Sequence, residues 1–115
     1  MKKYKIFEGN NLQEDMDKCL EEGYFPITDL KKAWDMKQKL SPHKWIDTGV
    51  VFQEGVIRKL TMEEAKDLKK LYENKGRLLF TGYSDDCDLG GNDLSLYGIG
   101  RFLGVRNKVK RSGKQ

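Results

Sequence analysis

At 115 residues the chain is long enough for one domain whose core needs no disulfide or metal staple. Charged residues make up 35% and apolar residues 37%, a soluble globular balance, and no run of about 18 apolar residues occurs, which excludes a membrane-spanning helix. The net charge of +4 is unevenly spread: residues 1–100 hold 16 Lys and Arg against 18 Asp and Glu, whereas residues 101–115 hold six basic residues and no acid.

Lys3 to Phe7 alternates as a strand does, and Gly9, Asn10 and Asn11 are expected to stop it. Asn11 followed by Glu14 has the form of a capping box. Leu12, Met16, Cys19 and Leu20 recur on one face of the helix it opens, which runs through Glu22 and stops at Gly23. Pro26 and Thr28 are expected to open a second helix, with Asp29 in its first turn beside the positive end of the helix dipole. Its expected buried side is Ile27, Leu30, Ala33, Trp34 and Leu40, with Lys31, Lys32, Lys37 and Lys39 in water.

Ser41-Pro42 breaks that helix. A strand from Trp45 to Phe52 is expected to pair as a hairpin with Val56 to Leu60 across Gln53, Glu54 and Gly55. Thr61 with Glu64 is a second capping box. It opens a helix to about Asn74 that buries Ala65, Leu68, Leu71 and Tyr72 and ends on a left-handed Gly76. The apolar run Leu78, Leu79, Phe80 reads as a central strand covered on both faces, and Arg101 to Val105 as a closing strand. The order fits an α+β fold: three helices packed on a mixed or largely antiparallel sheet of about five strands, with residues 1–106 as one domain and residues 107–115 as a basic tail.

Directly after the apolar strand, Gly82 to Gly104 carries half of the chain's 12 glycines together with Asp85, Asp86, Asp88 and Asp93. A loop of about 15 residues without structure of its own is uncommon in a compact domain and usually functional or disordered. A calcium loop counted from Asp86 places Asp88 third and Gly91 sixth. It fails at Gly90 in the fifth position and at Tyr97, where a bidentate carboxylate belongs. Gly98-Ile99-Gly100-Arg101 resembles a phosphate loop but has neither a following Walker lysine nor a helix N-terminus. Asp47 with Glu64 and Lys66 contains the residue types of a metal-dependent nuclease, but Glu64 is already explained as a helix cap.

His43, the only histidine, lacks a nucleophile and an orienting partner in sequence and reads as a surface-loop residue. Cys87 lies among aspartates whose field raises its thiol pKa, and Cys19 falls on the apolar face of the first helix. Two cysteines make neither a disulfide framework nor a zinc site, and the N-terminus shows no signal-peptide run; the expectation is a cytoplasmic protein without membrane, metal or cofactor.

Gly23-Tyr24-Phe25-Pro26-Ile27-Thr28 leading into a helix with Trp34, together with Gly104-Val105-Arg106, resembles the helix opening and closing strand of C-type-lectin-like domains of the formylglycine-generating-enzyme and retroelement variable-protein type. The resemblance covers about a third of the chain and offers a C-type-lectin-like fold as the alternative. It implies binding rather than catalysis, with Tyr83 through Gly100 as the ligand-contacting surface.

The leading expectation is therefore a non-enzymatic module that contacts another macromolecule, a protein first, through the acidic loop 83–100. Its partner-binding residues are Tyr83, Asp85, Asp86, Asp88, Asn92, Asp93 and Tyr97. Two alternatives stand beside it. One is RNA or DNA binding by the basic C-terminus through Arg101, Arg106, Lys108, Lys110 and Arg111; the other is a metal-dependent hydrolase built on Asp85, Asp86 and Asp88.

Overall fold

The computed structural model describes residues 3–40, 45–81, 89–92 and 99–106, with side chains except at 89–92 and 99. The fold is α+β: among the described residues there are four helices and a mixed seven-stranded sheet. The helices are α1 (Leu12–Glu21), α2 (Leu30–Leu40), α3 (Met62–Lys66) and α4 (Leu68–Glu73). The strands are β1 (Tyr4–Asn11), β2 (Phe25–Pro26), β3 (Ile46–Gln53), β4 (Val56–Lys59), β5 (Arg77–Thr81), β6 (Leu89–Asn92) and β7 (Ile99–Val105). Among the described residues no helix is long and apolar enough to cross a membrane.

The main path of the sheet is β1-β7-β3-β5-β6, so the last strand in sequence lies near the middle. β7 runs antiparallel to β1 and to β2 and parallel to β3, whose Asp47 stands opposite Phe102. An irregularity between Asp47 and Val51 then lets β3 change neighbours, and its second half pairs with β4 from Val50↔Lys59 to Gln53↔Val56. Gly49 sits inside that irregularity against β2. A Cβ there would lie 2.7 Å from the Pro26 carbonyl oxygen, so only glycine lets the two backbones meet.

Side-chain alternation sends neighbouring residues of each strand to opposite faces. Phe7, Val51, Leu78 and Phe102 pack with Leu12, Met16 and Cys19 of α1 and with Ala65, Leu68 and Leu71 of α3 and α4. Ile6 and Leu103, one residue removed from Phe7 and Phe102, pack on the other side with Ile46 and with Ala33 and Met36 of α2. The sheet thus separates two helical layers, α1 with α3 and α4 on one face and α2 on the other.

Several local expectations hold and several are corrected. The Asn11 capping box is formed: its side chain accepts from the Glu14 N–H at 2.9 Å, and the Glu14 carboxylate accepts from the Asn11 N–H. β1 does not stop at Gly9, because a positive φ of 101° absorbs a bulge between Glu8 and Asn11 and the strand resumes opposite Ile99. Pro26 belongs to β2 rather than to a helix start. Asp29 is the cap of α2, its carboxylate accepting from the Lys32 N–H at 3.1 Å and its carbonyl from the Ala33 N–H at 2.8 Å.

The helix expected from Thr61 to Asn74 is two helices, broken at Asp67, whose φ of −145° is extended. Gln13 of α1 bridges the break: its amide nitrogen donates to the Ala65 carbonyl at 3.0 Å and its amide oxygen accepts from the Leu68 N–H at 2.8 Å. The left-handed residue after α4 is Lys75, at φ 68°. Gly76 instead approaches Leu71, whose side chain occupies the place where a Cβ would stand.

Candidate functional site

The two helical layers carry opposite charge. Counted over α1, α3 and α4, seven acidic residues face four basic ones; α2 has Lys31, Lys32, Lys37 and Lys39 against Asp35 alone. Lys31, Lys32 and Lys39 are exposed, while Lys37, expected in water, is fully buried. It shares the sheet-facing side of α2 with Ala33, four residues earlier, so its aliphatic stem lies in the layer contact. Leu40, expected on the buried side, is 49% exposed at the helix end.

Beside the first turn of α2 the sheet ends in a groove of about 460 Å³. Three strands build it, because Val105 of β7 stands between Tyr4 of β1 and Phe25 of β2. Tyr4, Phe25, Pro26, Ile27 and Val105 supply apolar walls. The exposed Lys3 and Lys32 stand at the rim with Thr28 and Asp29. The Lys3 ammonium lies 5.6 Å from the centre of the Tyr4 ring, in a cation–π contact. The strip that carries Phe25 is clamped: Ile27 N–H donates to the Leu103 carbonyl at 2.9 Å, and Gly49 N–H donates to the Ile27 carbonyl at 2.7 Å.

Arg101 and Arg106, the described members of the expected basic anchor, are engaged within the fold. Arg101 stands directly across from Glu8 and forms an ion pair with it, its side chain only 6% exposed. Its backbone N–H donates to Asp47 Oδ2 at 2.9 Å, and the Trp45 indole N–H donates to the same oxygen at 3.2 Å. The Arg106 guanidinium stacks 4.5 Å from the Tyr24 ring centre and donates to the Glu22 carbonyl at 2.5 Å, where a cation complements the negative end of α1. Its N–H donates to the Lys3 carbonyl at 2.8 Å, which fixes the end of β7 beside the groove. Lys108, Lys110 and Arg111 lie outside the described residues.

Tyr83, Asp85, Asp86, Asp88, Asp93 and Tyr97 also lie outside the described residues, as do His43 and Cys87. Asn92 closes β6, its backbone opposite Leu78. β6 corrects the expectation of an unpatterned segment from 83 to 100: Leu89 to Asn92 pair antiparallel with β5 along the sheet edge.

The remaining carboxylates of interest have structural employment. Arg58 donates to both oxygens of Glu64, at 2.8 and 2.7 Å; that pairing, with the Thr61 cap, holds the Glu64 carboxyl down to about 2. Asp47 is buried and accepts from the Arg101 backbone N–H and the Trp45 indole, while Glu64 is held by Arg58, so both carboxylates of the nuclease-like set are engaged within the fold. Among the described residues no group of three or more His, Cys, Asp or Glu side chains is placed to hold a metal ion. Asp15 is buried, accepting from the Asn10 N–H at 3.2 Å and the Asn10 side-chain amide at 3.1 Å, and burial pushes its carboxyl up. Burial likewise pushes the Cys19 thiol up to about 12, which makes it a packing residue.

Sequence reasoning missed Lys3, Tyr4, Phe25 and Lys32 as one site. They come from three separated segments, and only the double pairing of Val105 brings the two aromatic residues together. No family model matches the chain, and neither does any curated protein.

Proposed function

We propose that the protein is a nucleic-acid-contacting module that meets phosphates with the α2 layer, with Lys3, and with the cations that follow Arg106 in sequence. The observation that carries this reading is the segregation of charge by the sheet. Exposed Lys31, Lys32 and Lys39 lie on one side and the acidic helices on the other. The acids stand behind both the sheet and α2, so a polyanion on the α2 side meets the lysines at contact and the acids only at a distance, where Coulomb repulsion is weaker. Lysines on a regular helix keep this surface in place without consuming Arg101 and Arg106, which the fold uses itself.

Fluorescence anisotropy with a labelled oligonucleotide tests the reading. Affinity is expected to fall about tenfold or more between about 50 and 200 mM salt. The double variant Lys31→Glu, Lys32→Glu is expected to weaken binding at every salt concentration and to flatten the slope, as is removal of residues 107–115. Absence of binding at low salt rejects the proposal.

A second reading, contact with a protein partner through the acidic segment 83–100, is supported by β6, which mounts part of that segment on the sheet edge. Alanine at Tyr83, Asp85, Asp86, Asp88 and Tyr97 together is expected to abolish capture of a basic protein partner while leaving the fold intact. Undiminished capture rejects it.

A further inference from the structure

We infer that the groove beside Phe25 takes one unpaired base, so that the partner is a single strand, RNA or DNA, rather than a duplex; this rests on the nucleic-acid reading above. The lysines alone fit any polyanion, but the groove they border does not. Lys3, Thr28, Asp29 and Lys32 line it beside Tyr4, Phe25, Pro26, Ile27 and Val105, and against that apolar part an ionised phosphate would lose water without gaining a partner. A nucleobase has the opposite character, with two apolar π faces and a polar edge, and aromatic side chains bind such faces with little regard to sequence. In a duplex those faces are already stacked on their neighbours. The bases of a single strand are available.

The arrangement matches a base flanked by its own phosphates. The groove holds about 460 Å³, within the range of about 300–1,000 Å³ usual for small-molecule sites. Lys3 and Lys32 stand at its rim, one from the strand end and one from α2, and are exposed. Asp29 lines the same groove. Its carboxylate caps α2 by accepting from the Lys32 N–H, and its charge disfavours a phosphate directly above it, so phosphates are directed to the two lysines. Lys3 already lies over the Tyr4 ring, which leaves Phe25 as the stacking face. The strip that carries Phe25 is hydrogen-bonded to β7 and to β3, so the platform is held in place before a ligand arrives.

The test uses the full chain and one sequence offered in four forms, as single-stranded RNA, single-stranded DNA and the corresponding duplexes. Each single strand is expected to bind about tenfold more tightly than its duplex. Phe25→Leu, which keeps apolar bulk and removes the π face, is expected to bring single-strand affinity down toward the duplex value while leaving the duplex unchanged. A strand carrying 2-aminopurine reports stacking on the unaltered protein through a change in its fluorescence, independently of how any variant folds. Duplex binding as tight as single-strand binding, with the salt dependence intact, overturns this inference and leaves the broader reading standing. Unchanged single-strand affinity in Phe25→Leu, or an unchanged 2-aminopurine signal at saturation, also overturns it. Failure of all four forms to bind at low salt overturns both.

Discussion

Among the described residues, the layer formed by α1, α3 and α4 shares a cluster of 12 buried residues with the sheet, whereas the layer formed by α2 shares a cluster of four. The first layer is acidic and is fixed by two capping boxes and the Gln13 bridge. The second is basic and borders the open groove. Under the proposed function, the difference gives the two faces of one sheet separate tasks. Apolar burial on the first face holds the fold, which frees the second face to spend its sequence on charge. Substitutions on the first face should therefore register as stability, and exposed substitutions on the second as binding.

The largest expected effect tests the first half of that division. Phe102, fully buried in the cluster of 12, is expected to cost about 3–5 kcal/mol when replaced by alanine, read as a lowered urea midpoint. Gln13→Leu comes next. It removes the side chain that satisfies both backbone groups at the helix break and leaves the Leu68 N–H without that acceptor, at about 1–3 kcal/mol. Amide hydrogen exchange at Leu68 should accelerate with it.

A smaller effect comes from two carboxylates of the acidic layer whose pH dependences oppose each other. Glu64 has its folded value lowered from 4.5 to about 2, so its contribution is present above 4.5 and is lost as pH falls toward 2. Asp15 is raised above its ordinary 3.8, so its contribution is largest when it is protonated and falls as pH rises through that range. Urea midpoints between about pH 2 and 6 should show a shallower acid loss in Glu64→Gln and a steeper one in Asp15→Asn. The smallest expected effect belongs to the other face: Lys31→Glu with Lys32→Glu should change stability by no more than about 0.5 kcal/mol, because both side chains are exposed. A loss as large as that of Phe102→Ala would break the comparison.

How far the sequence reveals this structure depends on the range over which each feature is decided. The Asn11 and Thr61 caps, the face of α1 and the hairpin between β3 and β4 are set by residues within a few positions of one another, and periodicity and capping signatures expose them. The break at Asp67 is hidden because the group that satisfies it is Gln13, more than fifty residues earlier. β2 is too short, and β6, Leu89-Gly90-Gly91-Asn92, too glycine-rich to show an alternating pattern. Lys37 looks like a solvent lysine until the packing of α2 turns its face to the sheet. The groove is the least legible of all, since it exists only where β1 and β2 both reach Val105.

The central claim, that the α2 face meets nucleic acid while the opposite face holds the fold, is tested most directly by an NMR titration of the full chain with a short single strand. The account predicts amide shifts concentrated at Lys3, Tyr4, Phe25 and Leu30 to Ala33, with the amides of α1, α3 and α4 unmoved. Shifts centred on the acidic helices, or none at a concentration where the strand is bound, would contradict it.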